Sequence, residues 1–202
     1  MIITDIQYGE NKKYKIYLND ECVFELYKSE IKAENLQVGM EVDAVLYDKI
    51  LYQVVGKRAV KRAMHILEKR DKTRKQLEDK LRENHYPKEC IAFAVEYVES
   101  YGYIDDYSYA SRYVEFRKHK KSRSQLQQEL LGKGIDRAVV SQVLEEIEYR
   151  EEDILREQIL KKCPNPWELS KEQKRKLMAS FMRKGFSYGI IERSLSDIIQ
   201  GP

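Results

Sequence analysis

Glycine and proline are scarce in this sequence, which contains nine glycines and four prolines among 202 residues. Their combined share is about half the usual one, which excludes collagen, Gly/Pro-rich disorder and a loop-rich sandwich, and favours helices. The three cysteines, Cys22, Cys90 and Cys163, are far apart and form no C-x-x-C pair. We therefore expect no disulfide framework and no zinc knuckle, and a reducing, cytoplasmic compartment.

Long apolar runs are missing as well. The longest, at 45–55, is interrupted by Asp48 and Lys49 and falls short of the roughly 18 residues of a membrane span. The first residues lack the basic region and apolar run of a signal peptide. These absences predict a protein that has no contact with a membrane.

The formal net charge of +3 conceals two segments of opposite sign. Residues 1–56 carry six basic and ten acidic residues, a net of −4, whereas the remainder carries a net of +7. This division of charge predicts two parts with different roles.

The acidic segment 1–56 has the pattern of a small β-rich extension. Aromatic and β-branched residues predict strands at 2–8, 14–18, 22–27 and 41–46, with one helical turn after Ser29. A sheet of this size is marginal alone, so we expect it to pack on the later part of the chain.

From about Gly56 onward the spacing of apolar residues is helical, and a motif recurs. Residues 73–81 resemble 122–130, a displacement of 49, and Leu126 to Ile135 resembles Leu177 to Phe186, a displacement of 51. Lys-Gly-apolar at the end of these helices is typical of a C-cap. We predict a mainly α protein in which three tandem, helix-turn-helix-like repeats of three helices form an elongated curved array. The predicted repeats are 57–103, 104–147 and 148–202.

Catalytic motifs are not evident. The sequence has no phosphate-binding loop, dinucleotide fingerprint or nucleophile elbow, and His65, His85 and His119 lack the spacing of metal ligands. The pair Asp105-Asp106 is interpreted as a helix N-cap, since no partner carboxylate is evident. We therefore expect no catalytic residue, no cofactor and no metal.

The basic residues are more informative, because corresponding places in successive repeats carry them. Stacked repeats would align these residues into a basic stripe that attracts a polyanion, either phosphates or an acidic protein groove. A solvated, lysine-rich helix face is the alternative. Cations near the predicted helix start at 122 oppose the helix dipole, which favours a role in binding a partner. The predicted stripe consists of Arg74, Lys75, Arg117, Lys118, Lys120, Lys121, Arg123, Lys174, Arg175, Arg183 and Lys184.

Tyrosine is unusually frequent, with 15 residues in the chain. Aromatic side chains at this density serve either as stacking platforms for bases or as packing at a junction, and we favour packing with the hydroxyls at the rim. The six that lie at the first repeat junction are Tyr97, Tyr101, Tyr103, Tyr107, Tyr109 and Tyr113.

Three motifs resemble those of the RecX family, bacterial regulators of the RecA recombinase. They are Arg70-x-x-Thr-Arg-x-Gln-Leu-x-x-Lys-Leu81, Gly102-Tyr-Ile-Asp-Asp-x-x-Tyr-Ala110 and Gln125-Leu-x-x-Glu-Leu-x-x-Lys-Gly-Ile135, and Arg183-Lys-Gly-Phe-Ser187 is similar to the closing repeat. The extension resembles that of longer members of Gram-positive type. One departure is Ser122, where many relatives carry glycine. The residues that match the most specific motif are Gly102, Tyr103, Asp105, Asp106, Tyr109 and Ala110.

The resemblance implies a non-enzymatic monomer that lodges in the groove of the RecA–DNA filament. It would oppose filament growth, ATP hydrolysis, strand exchange and repressor cleavage, with direct contact to single-stranded or duplex DNA as a further expectation. The alternative is a nucleic-acid-binding protein built from the same repeats that acts without RecA.

Overall fold

A computed structural model describes residues 1–200 of the chain, with the last of these described by its backbone alone. The chain forms two compact units, Met1–Asp105 and a second that begins at Asp106. The first unit has one apolar core, and the second unit has two.

The first unit begins with a three-stranded antiparallel sheet in the order β1-β2-β3. The strands are β1 (Ile3–Tyr8), β2 (Lys13–Leu18) and β3 (Glu21–Tyr27). Asn19 and Asp20 adopt positive φ in the turn between β2 and β3, a conformation that Asn and Asp tolerate better than most residues. The first three predicted strands are confirmed, and the predicted turn after Ser29 is a short helix, α1 (Lys28–Ala33).

The fourth predicted strand, 41–46, is wrong. Glu41 makes only a single antiparallel bridge to Ile2, and the next residues form helix α2 (Ala44–Asp48). The Asp43 carboxylate accepts a hydrogen bond from the backbone N–H of Leu46 at 2.7 Å. This N-cap starts a helix in a stretch whose β-branched residues resemble a strand.

The first long helix starts earlier than the sequence predicts. Helix α2 continues without a break into a π-helical stretch, Lys49–Gly56, and then into α3 (Lys57–Lys69). The segment 44–56 therefore connects the extension to the first repeat as one helical rod. Ile50, Leu51 and Val55 are buried along it, which fixes the rod against the core.

Helices α4 (Arg74–Glu83) and α5 (Lys88–Ser100) complete the first repeat. Buried side chains of the sheet, such as Phe24 and Leu26, belong to the same apolar cluster as Leu77 of α4. This shared core confirms the expectation that the sheet packs on the later part of the chain.

The second unit contains two further three-helix repeats, each around a separate apolar cluster. Ala110, Leu126 and Val140 are central to one cluster, and Leu155, Phe181 and Leu195 to the other. Its helices are α6 (Asp106–Arg117), α7 (Arg123–Gly132), α8 (Arg137–Glu146), α9 (Glu151–Lys162), α10 (Lys171–Met182) and α11 (Tyr188–Gln200).

The middle helix of every repeat starts with the same capping box. Thr73, Ser122 and Ser170 are the N-caps, and each is followed three residues later by a glutamine that completes the reciprocal hydrogen bonds. A regular capping box therefore exists at Ser122, the position at which the sequence departs from the motif.

The middle helices also end alike, in a residue of positive φ. This residue is His85 in the first repeat, Gly134 in the second and Gly185 in the third, with φ values of 59°, 81° and 81°. Helix α10 has 12 residues where α7 has 10. The displacement of 51 therefore aligns the ends of these two helices but not their N-caps.

The tyrosine-rich segment divides into packed and exposed side chains. Tyr109 and Tyr113 pack against the core of the second repeat. The packing prediction is wrong for Tyr97, Tyr101 and Tyr103, which are exposed and contact one another with ring centroids 4.9 and 6.4 Å apart. Tyr97 is exposed because α5 turns Ala94, Val95 and Val98 toward the core. Tyr107 is exposed as well.

The other motif residues lie around the start of α6. Gly102 has a φ of 71° and Ala110 is buried. Asp105 immediately precedes α6 and Asp106 is its first residue, positions at which a carboxylate is favoured by the helix dipole.

Within residues 1–200, no group of His, Cys, Asp or Glu side chains is arranged to hold a metal ion. None of the helices described there is both long and apolar enough to cross a bilayer.

Candidate interaction site: the basic junction of the second and third repeats

The second and third repeats meet where α7 begins and α10 ends. The buried Ser122 hydroxyl donates a hydrogen bond to the backbone carbonyl of Lys184 at 2.6 Å. The same oxygen accepts from the backbone N–H of Gln125 at 3.1 Å. One serine therefore both caps α7 and fastens it to the end of α10.

Gly185 makes this close approach possible. Its φ of +81° is a conformation that L side chains rarely adopt, and a Cβ there would lie 2.9 Å from both Ser122 Oγ and Ser124 Cβ. Any side chain at this position would force the two helices apart. The glycine predicted as a C-cap thus also sets the distance between two repeats.

Helix α9 adds further bonds to the same place. Gln158 Nε2 donates to the Lys120 carbonyl at 3.0 Å, and Gln158 Oε1 accepts from Lys184 Nζ at 3.1 Å. The Tyr149 hydroxyl donates to the Lys121 carbonyl. These bonds tie the loop before α7 to the third repeat, so that the backbone carrying its lysines is held in place.

Four cations of the predicted stripe converge on this contact, and we call them the basic junction: Lys120, Arg123, Arg183 and Lys184. All four residues are exposed. Within residues 1–200, none of the four has an ion pair with a carboxylate, and Lys184 Nζ bonds only to the neutral amide of Gln158 and lies 5.2 Å from the Phe181 ring centroid. The junction therefore carries four cations that form no ion pair within residues 1–200, on a fixed backbone.

The fold offsets part of the cost of placing cations at the start of α7. The carbonyl end of α10, which carries the negative end of its helix dipole, lies against the N-terminus of α7 through the bond from Ser122 to Lys184. Glu151 also accepts from the backbone N–H of Arg123 at 3.0 Å. Burial raises the pKa of Glu151.

Lys121 lies beside the junction but serves the fold. Its Nζ pairs with Glu129, which also accepts from the Tyr113 hydroxyl at 2.8 Å. Burial alone would raise the pKa of Glu129, but the bonds from Lys121 and Tyr113 outweigh it and lower this pKa. Burial, and next the bond to Glu129, raise the pKa of Tyr113 to about 12.

The remaining residues of the predicted stripe lie elsewhere. Lys118 pairs with Glu115 at 2.8 Å, and the Arg117 guanidinium lies 4.6 Å from the Tyr113 ring centroid. Lys174 and Arg175 are in the first half of α10, about 11–12 Å along the helix from its end. In the first unit, Arg74 pairs with Glu78 and Glu99, and Lys75 with Asp79.

Sequence reasoning missed Phe116. This side chain is 85% exposed, the largest exposed fraction among the large apolar residues described. It lies in the last turn of α6, shortly before the loop that carries Lys120. Its position as an aromatic residue inside the basic run 112–123 could have indicated an interaction surface from the sequence. Exposed aromatic residues often anchor interfaces.

The dual role of Ser122 gives a testable difference between two similar serines. Ser170→Ala should cost about 1 kcal/mol of unfolding free energy, because an exposed cap is lost. Ser122→Ala should cost roughly 2–3 kcal/mol, because the carbonyl of Lys184 also loses its donor in this part-buried contact. Urea denaturation followed by circular dichroism measures both, and equal losses would contradict a fastening role for Ser122.

Comparisons with known proteins identify all three repeats. Family models described as the first, second and third three-helix domains of RecX match residues 59–97, 105–144 and 150–195. Proteins named "Regulatory protein RecX" are similar over nearly the whole chain. The one from Clostridium acetobutylicum is 28% identical, over 97% of this chain and 95% of its own. The protein from Caldanaerobacter subterraneus is 29% identical, over 97% of this chain and 99% of its own. The protein from Bacillus subtilis is 28% identical, over 95% of this chain and 74% of its own.

Solved structures share the fold. A crystal structure titled as regulatory protein RecX superposes with a TM-score of 0.66 at 21% identity, over 97% of this chain and 99% of that one. The crystal structure of RecX from Lactobacillus salivarius superposes with a TM-score of 0.59 at 23% identity. The match covers 70% of this chain and 95% of that one. Three matched domains in their family order, on a chain that aligns with its relatives almost end to end, confirm the resemblance seen in the motifs, and the chain belongs to the RecX family of regulatory proteins.

Proposed function

We propose that this protein binds in the groove of the RecA–DNA filament and inhibits filament growth, ATP hydrolysis, strand exchange and repressor cleavage. Membership of the RecX family supports a regulatory role. The observation that carries the proposal is the basic junction, because cations from two repeats are held there on one rigid contact.

The geometry suits binding better than catalysis. Lys120 and Arg123 project from a backbone fixed by Gln158, Ser122 and Glu151, so little conformational entropy of the main chain is lost on binding. Repeated modules can also contact several subunits of a filament at once, which lets weak contacts add through effective concentration. We propose no catalytic step, and the chain acts as a monomer that binds a polymer.

The first test is inhibition of RecA ATPase activity on single-stranded DNA. Titration of the wild-type protein should suppress ATP hydrolysis, and the double variant Lys120→Glu/Arg123→Glu should need about tenfold more protein, a loss of roughly 1.4 kcal/mol. Neither side chain is part of an ion pair within residues 1–200, so helicity by circular dichroism should be unchanged. The salt dependence of inhibition should also become flatter.

The matched control is Arg137→Glu/Arg156→Glu, which makes the same change in net charge at exposed sites outside the junction. It should inhibit almost as well as the wild type. Equal weakening by both double variants would show that net charge, not the junction, matters. If ATPase activity is untouched by the wild-type protein and bare DNA is bound as well as RecA-coated DNA, the alternative of a RecA-independent nucleic-acid-binding protein replaces the proposal.

A further inference from the structure

Helix α3 presents a row of basic residues to solvent. Lys57, Lys61, His65 and Lys69 are spaced by four residues, and Arg62 lies beside them; all five are exposed. Four residues of α-helix rise about 6 Å, which is comparable to the separation of successive phosphates along a nucleic-acid strand. We call these five residues the α3 basic face.

The charge of this face is largely uncompensated. Within residues 1–200, Lys57, Lys61 and Lys69 have no ion pair, and Arg62 Nε donates to the neutral Asn84 amide at 2.9 Å. The one carboxylate on the face is Glu68, which lies 3.5 Å from His65.

The neighbouring helix α4 shows the opposite arrangement. Each of its basic residues is paired with a carboxylate of the same unit; these residues are Arg74, Lys75, Lys80 and Arg82. Two adjacent helices of similar composition thus differ in whether their cations are neutralised. Unpaired lysines in a row repel one another, and a polyanion removes that repulsion.

A cleft of about 720 Å³ runs beside the face and is walled by the N-terminal extension. Lys61, Arg62 and His65 line it on the α3 side, while Tyr27 and Lys13 come from strands of the extension. Glu10 and Glu83 also line it, and Glu83 is paired with Lys80 at 2.5 Å. The cleft adds aromatic surface and depth next to the row of cations.

We propose that the α3 basic face binds the phosphodiester backbone of a nucleic acid, with the adjoining cleft walled by the extension. A protein partner fits this face less well, because interfaces between proteins need apolar anchors. No residue of α3 is among the exposed large apolar side chains of the described chain. The proposal stands apart from the proposed function, since it concerns another unit and needs no RecA.

The test is fluorescence anisotropy of a labelled 30-nucleotide single strand and of the matching duplex, titrated with the full chain over a range of salt concentrations. The variant Lys57→Ala/Lys61→Ala/Lys69→Ala should bind at least tenfold more weakly at low salt. Its plot of log affinity against log salt should be shallower by about two units for a single strand and nearly three for a duplex. Loss on one oligonucleotide or on both identifies which form the face binds, and either result supports the proposal.

The matched control is Lys75→Ala/Lys80→Ala/Arg82→Ala, which removes the same charge from α4, where the cations are paired. It should keep most of the affinity and the salt slope. The proposal is overturned if both triple variants weaken binding equally, or if the α3 variant binds like the wild type. No RecA is present in the anisotropy experiment, so a negative result there does not affect the ATPase test of the proposed function. A negative ATPase result likewise does not affect the anisotropy experiment.

Discussion

Gly185→Ala is expected to lower the unfolding free energy of the second unit by about 3 kcal/mol. The first contribution is backbone strain, because a φ of +81° costs an alanine about 1 kcal/mol or more. The second is overpacking, since the new Cβ would lie 2.9 Å from Ser122 Oγ and Ser124 Cβ, and such clashes cost roughly 1–3 kcal/mol. Chemical denaturation followed by circular dichroism measures the loss.

The same substitution should also disturb the proposed site. The Ser122 hydroxyl reaches the Lys184 carbonyl only if α7 and α10 stay in contact. When the helices separate, the carbonyl of Lys184 loses its partner and the cations of the basic junction no longer share one contact. We therefore expect Gly185→Ala to weaken the proposed inhibition of RecA even where the protein remains helical.

Gly132→Ala is the matched control for this prediction. Gly132 is the last residue of α7, and a Cβ there would meet no described atom within 4 Å apart from its chain neighbours and the backbone of its own helix. Alanine should stabilise the helix by up to about 1 kcal/mol, because it loses less conformational entropy than glycine. If both alanine variants change stability in the same direction, close packing at Gly185 is not what holds the repeats together.

Local patterns in the sequence were sufficient to predict most elements of the fold. Alternation of aromatic and β-branched residues predicted the three strands. The resemblance of residues 73–81 to 122–130 predicted a recurring helix, and the Lys-Gly positions predicted how such helices end. The exception at 41–46 is instructive, because apolar residues there fit a strand, whereas the Asp43 side chain starts a helix. A single capping bond, which periodicity does not count, decided the outcome.

Contacts between distant residues could not be predicted. The bond from Ser122 to Lys184 joins residues 62 apart, and Arg74 pairs with Glu99 from another helix. Sequence reasoning grouped the cations of all repeats into one stripe because it counted charges without their partners. The structure separates cations that are neutralised, such as Lys75, from cations that are not, such as Lys120. This distinction depends on tertiary structure, and the proposed site depends on it.

Arg58 shows how a residue in a basic run can be structural. Its Nη1 pairs with Glu30 at 2.6 Å, and its Nη2 donates to the Glu25 carbonyl at 2.5 Å. The guanidinium also lies 5.0 Å from the ring centroid of Tyr27 and 5.9 Å from that of Tyr86. One side chain at the start of α3 thereby joins β3, α1 and the loop after α4.

Arg58→Lys is expected to cost about 3 kcal/mol of unfolding free energy, although it keeps the charge. An ammonium group cannot reproduce the planar fork that contacts Glu30 and the Glu25 carbonyl together, nor stack as well on Tyr27. Only 15% of the Arg58 side chain is exposed, so water replaces the lost bonds poorly. Hydrogen exchange should locate the damage, with faster exchange of amides in β3 and α1 than elsewhere in the first unit.

Arg62→Lys is the matched control, because Arg62 lies one turn after Arg58 in the same helix. It tests whether the loss comes from the contacts of Arg58 or from the removal of any arginine in α3. Arg62 is exposed and donates to a single neutral amide, so its replacement should change stability by no more than about 0.5 kcal/mol. Similar small losses in both lysine variants would mean that the extension is held by its apolar core alone. The apolar contacts of the sheet are identical in both variants. A large loss of unfolding free energy in Arg58→Lys alone would therefore mean that the Arg58 guanidinium attaches the extension to the first repeat.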